Sequence, residues 1–168
     1  MSDAQTVLKM FKDKDIKYVD LRFTDPRGKL QHVTQDVSTI DEDAFADGLM
    51  FDGSSIAGWK AINESDMTLM LDPESVHVDP FFAQPTVAIF CDVIDPGTGE
   101  AYNRDPRMTA KKAAAYLNST GIGDPIYVRP ETEFFIYDHG RVATYTSRTG
   151  FALRGPEPTQ NMGPASAT

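Results

Sequence analysis

The sequence predicts an α+β fold, in which a small mixed or antiparallel sheet carries one or two helices. Three observations support this prediction. Residues 4–14 repeat apolar side chains at helical spacing. Residues 17–34 read as two strands around a turn. Residues 67–71 and 86–94 are apolar runs bounded by Asp-Pro or Pro, as expected of strands in a sheet. Strands and helices that alternate irregularly in this way are typical of an α+β domain.

The first elements follow from local spacing. Val7, Leu8 and Phe11 fall on one face of the first predicted helix. The motif Asp25-Pro26-Arg27-Gly28 is a strong turn signal, because proline presets one turn angle and glycine tolerates another. The strands on either side, residues 17–24 and 30–34, should therefore form a hairpin.

A second helix is predicted after residue 39. Thr39-Ile40-Asp41-Glu42 matches a capping box, in which a hydroxyl and a carboxylate three residues apart satisfy the free amides of a helix start. Ala44, Phe45 and Ala46 would lie in this short helix, and Gly48 is placed to end it.

A new section begins near residue 103. Asp105 is suited to cap a helix whose first residue is Pro106, and Gly121 lies just past its end. Residues 126–128 and 131–137 are then strand-like. Residues 154–168 contain few apolar side chains, and we expect them to form a disordered tail.

Composition excludes some classes of function. The chain has 168 residues, 40% apolar and 24% charged, which is enough for a buried core. A net charge of −9 disfavours binding to nucleic acid or to an anionic membrane. The only cysteine, Cys91, lies in an apolar run and is expected to be a small buried side chain. Neither a signal peptide nor an apolar stretch of about 20 residues is recognisable, so we expect a cytoplasmic protein.

The stretch Phe51–Trp59 combines an acid, two glycines, two serines and the only tryptophan. Glycine permits close approach of the backbone to a ligand, and Asp52, Ser54 and Ser55 supply a charge and hydrogen-bonding groups. The same composition also suits a surface turn whose tryptophan is anchored in the core. Local sequence leaves both interpretations open.

Two acids lie in the segment Pro130–Tyr137. Because strand residues alternate between faces, Glu131 and Glu133 should point the same way and repel each other. A divalent cation with oxygen ligands would offset that repulsion, although a solvated strand face is an equally simple explanation. Arg104 and Arg107 could contact anions or only flank a helix start. His32, His77 and His139 are not clustered, and neither common glycine-rich phosphate-binding motif is present.

Taken together, these motifs resemble the N-terminal part of bacterial-type glutamine synthetase. The resemblance runs from about Val7 to about Asp138 and is carried by several motifs in the same order. These are residues 18–25, 51–59, 62–67, 103–107, 120–124 and 130–135. The resemblance implies a β-grasp-like domain over residues 14–98, followed over residues 104–153 by the beginning of the catalytic α/β domain.

The family's chemistry implies roles for four residues. Such enzymes use ATP to phosphorylate the side-chain carboxylate of glutamate, and ammonia then displaces the phosphate. Asp52 resembles the aspartate that holds and deprotonates ammonium, and Ser55 lies in the same loop. Glu133 and Glu131 resemble ligands of two divalent metals, Mg²⁺ or Mn²⁺, on the glutamate side and the ATP side respectively. In the family, subunits form homo-oligomeric rings, and this loop reaches into the neighbouring subunit's site.

Two departures from the family matter. Arg129 stands where the family usually has glycine, directly before the metal acids; it could pair with Glu131, obstruct the nucleotide or point outward. Family members are also much longer, and their remaining ligands lie beyond this sequence. We therefore expect no synthetase activity from this chain alone. The alternatives are a non-catalytic homologue that binds glutamine synthetase subunits, and a related glutamate–amine ligase, against which the ammonium-type loop argues mildly.

Overall fold

The computed structural model describes residues 3–61, 64–123 and 126–155. The described residues up to Ile126 form one compact unit, and those from Tyr127 onward form a second. The predicted tail, residues 154–168, lies outside the described residues except for Arg154 and Gly155.

The first unit contains a seven-stranded mixed sheet with the order β2-β1-β6-β4-β3, and β5 and β7 also pair with β6. β1 and β6 run parallel, and the other pairs are antiparallel. The strands are β1 (Tyr18–Thr24), β2 (Leu30–Asp36), β3 (Leu49–Asp52), β4 (Asp66–Leu71), β5 (His77–Asp79), β6 (Thr86–Asp95) and β7 (Glu100–Ala101). The predicted hairpin and both predicted apolar strands are confirmed, and so is the α+β class.

The first helix, α1 (Ala4–Asp13), matches its prediction closely. The side chain of Asp3 accepts a hydrogen bond from the amide of Thr6 at 2.7 Å and so caps the helix. Val7 and Phe11 are buried, because the spacing of four residues places them on the face that packs against the core.

The second helix, α2 (Glu42–Ala46), begins where predicted, but the proposed capping box is wrong. Its cap is Asp41, whose carboxylate accepts from the amide of Ala44 at 3.0 Å. Thr39 lies instead in a short 3₁₀ turn, and its hydroxyl donates to the carbonyl of Asp36. The helix starts at Glu42, so Asp41 and not Thr39 occupies the capping position directly before it.

The core is centred on β6. Val87, Ile89, Cys91 and Val93 are fully buried. Burial raises the pKa of the Cys91 thiol to about 12, so this cysteine behaves as the small apolar side chain that the sequence predicts. Among the described residues, no helix is long and apolar enough to cross a membrane.

The third helix, α3 (Pro106–Thr120), is held to the sheet by polar contacts at its start. Asp105, which is 1% exposed, accepts from the amide of Arg107 at 2.9 Å and from the amide of Val93 at 3.0 Å. Arg107 also forms ion pairs with Asp72 and Asp92. The predicted cap and the left-handed Gly121 at the helix end are both confirmed.

Two strand predictions are wrong, one that begins at the last residue of the first unit and one in the second unit. Residues 126–128 and 131–137 have no regular secondary structure and are exposed. A strand needs a hydrogen-bonded neighbour, and within the described residues this segment pairs with none. The second unit instead forms a hairpin of β8 (His139–Tyr145) and β9 (Arg148–Arg154), which the sequence analysis did not predict.

Candidate functional site

The stretch Phe51–Trp59 begins as a strand and continues as a turn. Phe51 and Asp52 are the last residues of β3, and Asp52 pairs in register with Asp66 of β4. Gly53 to Ser55 then form a 3₁₀ turn. This strand was not predicted from the sequence. It gives the acidic residue a defined position at the end of the sheet.

Asp52 caps the turn with its own side chain. Its Oδ1 accepts hydrogen bonds from the amide of Ser54 at 2.8 Å and from the hydroxyl of Ser54 at 2.6 Å. Both Asp52 and Ser55 remain exposed. The structure therefore brings these two predicted site residues together in one turn, and it assigns a supporting role to Ser54, which the sequence analysis did not single out as a site residue.

Gly53 is required by its surroundings. Its amide donates to the carbonyl of Ser65 at 2.7 Å. A Cβ at this position would lie 2.5 Å from Cγ of Met67 and 3.1 Å from the Ser65 carbonyl oxygen. Only a residue without a side chain can approach β4 this closely without displacing its neighbours.

The tryptophan at the end of the stretch is anchored in an aromatic cluster formed by Phe23, Phe51, Trp59 and Tyr102. The ring of Trp59 lies 5.4 Å from that of Phe23, 5.9 Å from that of Phe51 and 5.5 Å from that of Tyr102, measured between centroids. Such separations are typical of favourable aromatic pairs. The two interpretations of this stretch are therefore compatible, since an anchored tryptophan supports an exposed acidic turn.

Asp52 and Ser55 line a surface groove of about 500 Å³. Its other lining residues are Gln31, His32 and Val33 of β2, Met50 and Phe51 of β3, together with Phe23 and Ile56. Nδ1 of His32 lies 2.7 Å from Oδ1 of the buried Asp20, which fixes the imidazole ring at this groove. The groove has room for a small polar ligand beside the carboxylate of Asp52.

Hydrogen bonding from the side chain and then the amide of Ser54 lowers the pKa of Asp52 below its ordinary value. The carboxylate therefore stays ionised at neutral pH. A lowered pKa favours attraction of a cation, and it makes the same group a weaker proton acceptor.

We expect Ser54→Ala to raise the pKa of Asp52, because the substitution removes the hydroxyl that stabilises the ionised form. The pKa can be measured by following the side-chain carboxyl carbon of Asp52 by NMR during a pH titration. Ser55→Ala is the matched control and should leave the titration unchanged. An unchanged pKa in Ser54→Ala would contradict this account of the turn.

Glu131 and Glu133 belong to the second unit and are exposed in its irregular segment. The expected strand, on which these two acids would share one face, is not observed. In the same segment, the rings of Phe135 and Tyr137 stack at 6.2 Å between centroids. Arg129 is also exposed, and no ion pair joins it to Glu131 in the part of the chain that the structure describes. The described residues contain no group of three or more potential metal ligands, so these two glutamates do not form a complete metal site.

The sequence left open whether Arg104 and Arg107 contact an anion. In the structure, both side chains donate to acceptors within the protein. Arg107 pairs with two aspartates, and Nη1 of Arg104 donates to the carbonyls of Gly58 and Trp59 at 2.6 and 3.2 Å. Tyr102 also donates from its hydroxyl to the Trp59 carbonyl, at 2.9 Å. Sequence analysis missed these contacts, because backbone carbonyls more than forty residues away leave no trace in local sequence.

Fold and turn together define a β-grasp domain that presents an exposed acidic turn at the end of one strand. Residues 15–96 match the family described as glutamine synthetase, beta-Grasp domain. The chain belongs to the glutamine synthetase family and corresponds to the N-terminal part of its members.

Two relatives and one solved structure illustrate this similarity. The chain is 64% identical over 157 residues to glutamine synthetase from Rhizobium meliloti (strain 1021), covering 94% of this chain and 34% of the relative. It is 63% identical to glutamine synthetase from Bradyrhizobium diazoefficiens (strain JCM 10833 / BCRC 13528 / IAM 13628 / NBRC 14792 / USDA 110), with the same coverage. A cryoEM structure of Plasmodium falciparum glutamine synthetase matches with a TM-score of 0.74 at 22% identity, covering 94% of this chain and 30% of that one.

The last comparison supports the fold alone, because the sequence identity is low. The chain spans about a third of the length of the curated relatives that it matches.

Proposed function

We propose that this chain carries the ammonium-binding part of a glutamate–ammonia ligase, in which glutamate is amidated at the expense of ATP through a γ-glutamyl phosphate. The observation that carries the proposal is the exposed carboxylate of Asp52, held ionised by Ser54 at the edge of a groove. The identity to glutamine synthetases over nearly the whole chain supplies the reaction class.

Asp52 has two tasks in this proposal. Its negative charge attracts ammonium into the groove, where Ser55 supplies a further oxygen. Ammonium becomes a nucleophile only after losing a proton, and a nearby carboxylate can receive that proton. Because its pKa is lowered, we expect Asp52 to contribute more to binding the cation than to the proton transfer.

Glu131 and Glu133 would hold divalent metal in the assembled enzyme. Carboxylate oxygens are the donors that Mg²⁺ and Mn²⁺ prefer, so the two side chains fit this role in kind. Bound metal would offset the charges of glutamate and ATP. Since these acids supply only part of a ligand set within the described residues, the proposal places the other ligands on the remainder of a full-length subunit.

The chain would act within a homo-oligomeric, cytoplasmic ring, where its Asp52 turn serves a neighbouring subunit. It follows that the chain alone should form no glutamine from glutamate, ammonium and Mg·ATP. Turnover by the purified chain would contradict this part of the proposal.

The proposal can be tested by complementation between subunits. Full-length Rhizobium meliloti glutamine synthetase would carry asparagine at the position equivalent to Asp52, so that no site in its assembly has an acid there. Co-expression with this chain should yield mixed assemblies in which Asp52 restores the acid to neighbouring sites. We expect measurable glutamine formation in the co-purified assembly.

The matched control is the same experiment with Asp52→Asn in this chain, which should co-purify equally well and restore nothing. Co-purification without restored activity by the unmodified chain would instead support the non-catalytic, subunit-binding alternative. Restored activity with methylamine but not with ammonium would support the related glutamate–amine ligase. Absence of both co-purification and activity would overturn the proposed partner and function together.

A further inference from the structure

We infer that Tyr102 and Arg104 form a clamp that positions Asp52 by fixing the far end of its turn. Neither residue touches Asp52. Tyr102 donates a hydrogen bond to the carbonyl of Trp59, and Arg104 donates to the carbonyls of Gly58 and Trp59. The effect reaches Asp52 through the aromatic cluster. The inference deepens the proposed function, and it rests on that function wherever it concerns ammonium.

The clamp itself is firmly attached to the sheet. The amide of Tyr102 donates to the carbonyl of Val93 in β6 at 2.8 Å, and the amide of Asp105 donates to the carbonyl of Tyr102 at 3.1 Å. The buried carboxylate of Asp105 accepts from the amide of Val93 at 3.0 Å. Because residues 102–105 are bound to the central strand on both sides of Arg104, they form a rigid base for its side chain.

Three contacts from this base and from β6 hold the end of the turn. Tyr102 is only 7% exposed, and its hydroxyl reaches the Trp59 carbonyl at 2.9 Å. Arg104 bridges the carbonyls of Gly58 and Trp59. Lys60 pairs with Asp95 of β6 at 2.8 Å, and its ammonium group lies 5.7 Å from the centre of the Tyr102 ring. A backbone carbonyl that accepts from two side chains is restrained in both position and direction.

The link from the clamp to the acid runs through Trp59 and Phe51. Trp59 packs edge-on against both Tyr102 and Phe51, and Phe51 directly precedes Asp52. The opposite end of the turn is fixed independently, since the amide of Gly53 donates to the Ser65 carbonyl. Without the clamp, the carbonyls of Gly58 and Trp59 would lose their side-chain donors, and Asp52 would lose this support from the tryptophan side.

Amide hydrogen exchange of this chain tests the clamp directly. Within the turn, the amide of Ile56 donates to the carbonyl of Gly53 and the amide of Trp59 donates to that of Ile56. In the double variant Tyr102→Phe/Arg104→Met we expect both amides to exchange at least about tenfold faster, because three hydrogen bonds to the carbonyls of Gly58 and Trp59 are lost together. The amides of Gly53 and Ile89 should keep their rates.

Fluorescence provides a second readout, because Trp59 is the only tryptophan. Quenching by acrylamide should increase in the double variant. Tyr102→Phe/Arg104→Lys should recover part of the protection, since lysine keeps a cationic donor at the clamp. Unchanged exchange at Ile56 and Trp59, or equal acceleration at all four amides, would overturn the clamp.

The positioning role is then tested in the mixed assembly described above. With the double variant we expect the KM for ammonium to rise several-fold while kcat changes little, because the turn is less well placed before the cation binds. Faster exchange without a change in KM would overturn the positioning role. If the unmodified chain restores no activity, the proposed function fails, and the exchange data still decide whether the clamp holds the turn.

Discussion

Gly48→Ala is expected to destabilise the fold more than any other glycine-to-alanine substitution at a left-handed glycine of the first unit. Gly48 has a φ of +78°, and a Cβ there would lie 2.5 Å from Cγ2 of Thr68 and 2.7 Å from the carbonyl oxygen of Leu69. A threonine methyl group can rotate away, but a strand carbonyl cannot move without disturbing β4. We expect a loss of about 3 kcal/mol, the sum of left-handed backbone strain and overpacking.

Gly28→Ala is the matched control for this prediction. Gly28 has a φ of +83°, and no atom lies within 4 Å of the position that a Cβ would take. The control therefore carries the backbone strain without the collision, and it should cost only about 1 kcal/mol. Urea unfolding followed by circular dichroism measures both losses. Equal losses in the two variants would show that the contact with Leu69 is unimportant.

The position of Gly48 explains why one strand escaped prediction. Sequence analysis correctly places a helix end at this glycine, but β3 follows immediately with Leu-Met-Phe-Asp. This segment is four residues long and has one aromatic and no β-branched side chain, so propensity gives it only a weak strand signal. Its pairing with β4 decides its conformation. The same pairing holds Phe51 and Asp52, and the predicted ligand loop therefore begins as part of the sheet.

The opposite error occurs at residues 131–137, where a strong local pattern produced no strand. Glu131 to Tyr137 has the alternation and the aromatic content of a strand, and local sequence contains no information about a pairing partner. By contrast, the predicted hairpin of β1 and β2 is confirmed. A short turn joins these strands, so the sequence itself shows which segment pairs with β1. Closeness in sequence is not the whole explanation, because β6 was predicted although it pairs with the distant β1, and the β8–β9 hairpin was missed although its strands are adjacent.

The candidate site was likewise predicted only in part from the sequence. Motif resemblance identified Asp52 and Ser55, and the structure places both in one turn. Ser54 was noted in the sequence as a polar side chain. Its two hydrogen bonds to Asp52 depend on the geometry of the turn, which local sequence does not specify. The contacts of Tyr102 and Arg104 join residues more than forty positions apart through backbone oxygens, and no residue type marks such an acceptor.

Asp20→Ala is expected to have the second large effect, because Asp20 organises a buried polar network between strands. Asp20 is 1% exposed on β1 and accepts from Nε of Arg22 at 2.8 Å. It also lies 2.7 Å from Nδ1 of His32 and accepts from the hydroxyl of Thr34 at 2.8 Å. Removing the carboxylate leaves three polar groups without their shared partner. We expect a loss of about 3 to 5 kcal/mol, as for other broken buried ion pairs.

Thr34→Val is the matched control on the same network. It removes one neutral donor and keeps the carboxylate, the arginine and the side-chain volume, so we expect a loss of about 1 kcal/mol. Because His32 and Thr34 of β2 both contact the carboxylate of Asp20, Asp20→Ala should also increase the exchange of backbone amides in β2. A loss for Asp20→Ala no larger than that for Thr34→Val would show that the network is not organised by Asp20.

The pH dependence of the Asp20→Ala loss gives an independent check. Burial raises the pKa of Asp20, but hydrogen bonds from Arg22, His32 and Thr34 outweigh it, and the net pKa lies below the ordinary value of 3.8. A carboxyl with a lower pKa in the folded state contributes stability above its unfolded pKa, and loses that contribution as the pH falls through its folded pKa. The difference in unfolding free energy between the unmodified chain and Asp20→Ala should therefore be constant near neutral pH and shrink below about pH 3.8. A difference that grows on acidification in this range would mean that the folded state favours the protonated carboxyl of Asp20. That result would contradict the stabilisation of its ionised form by the three surrounding donors.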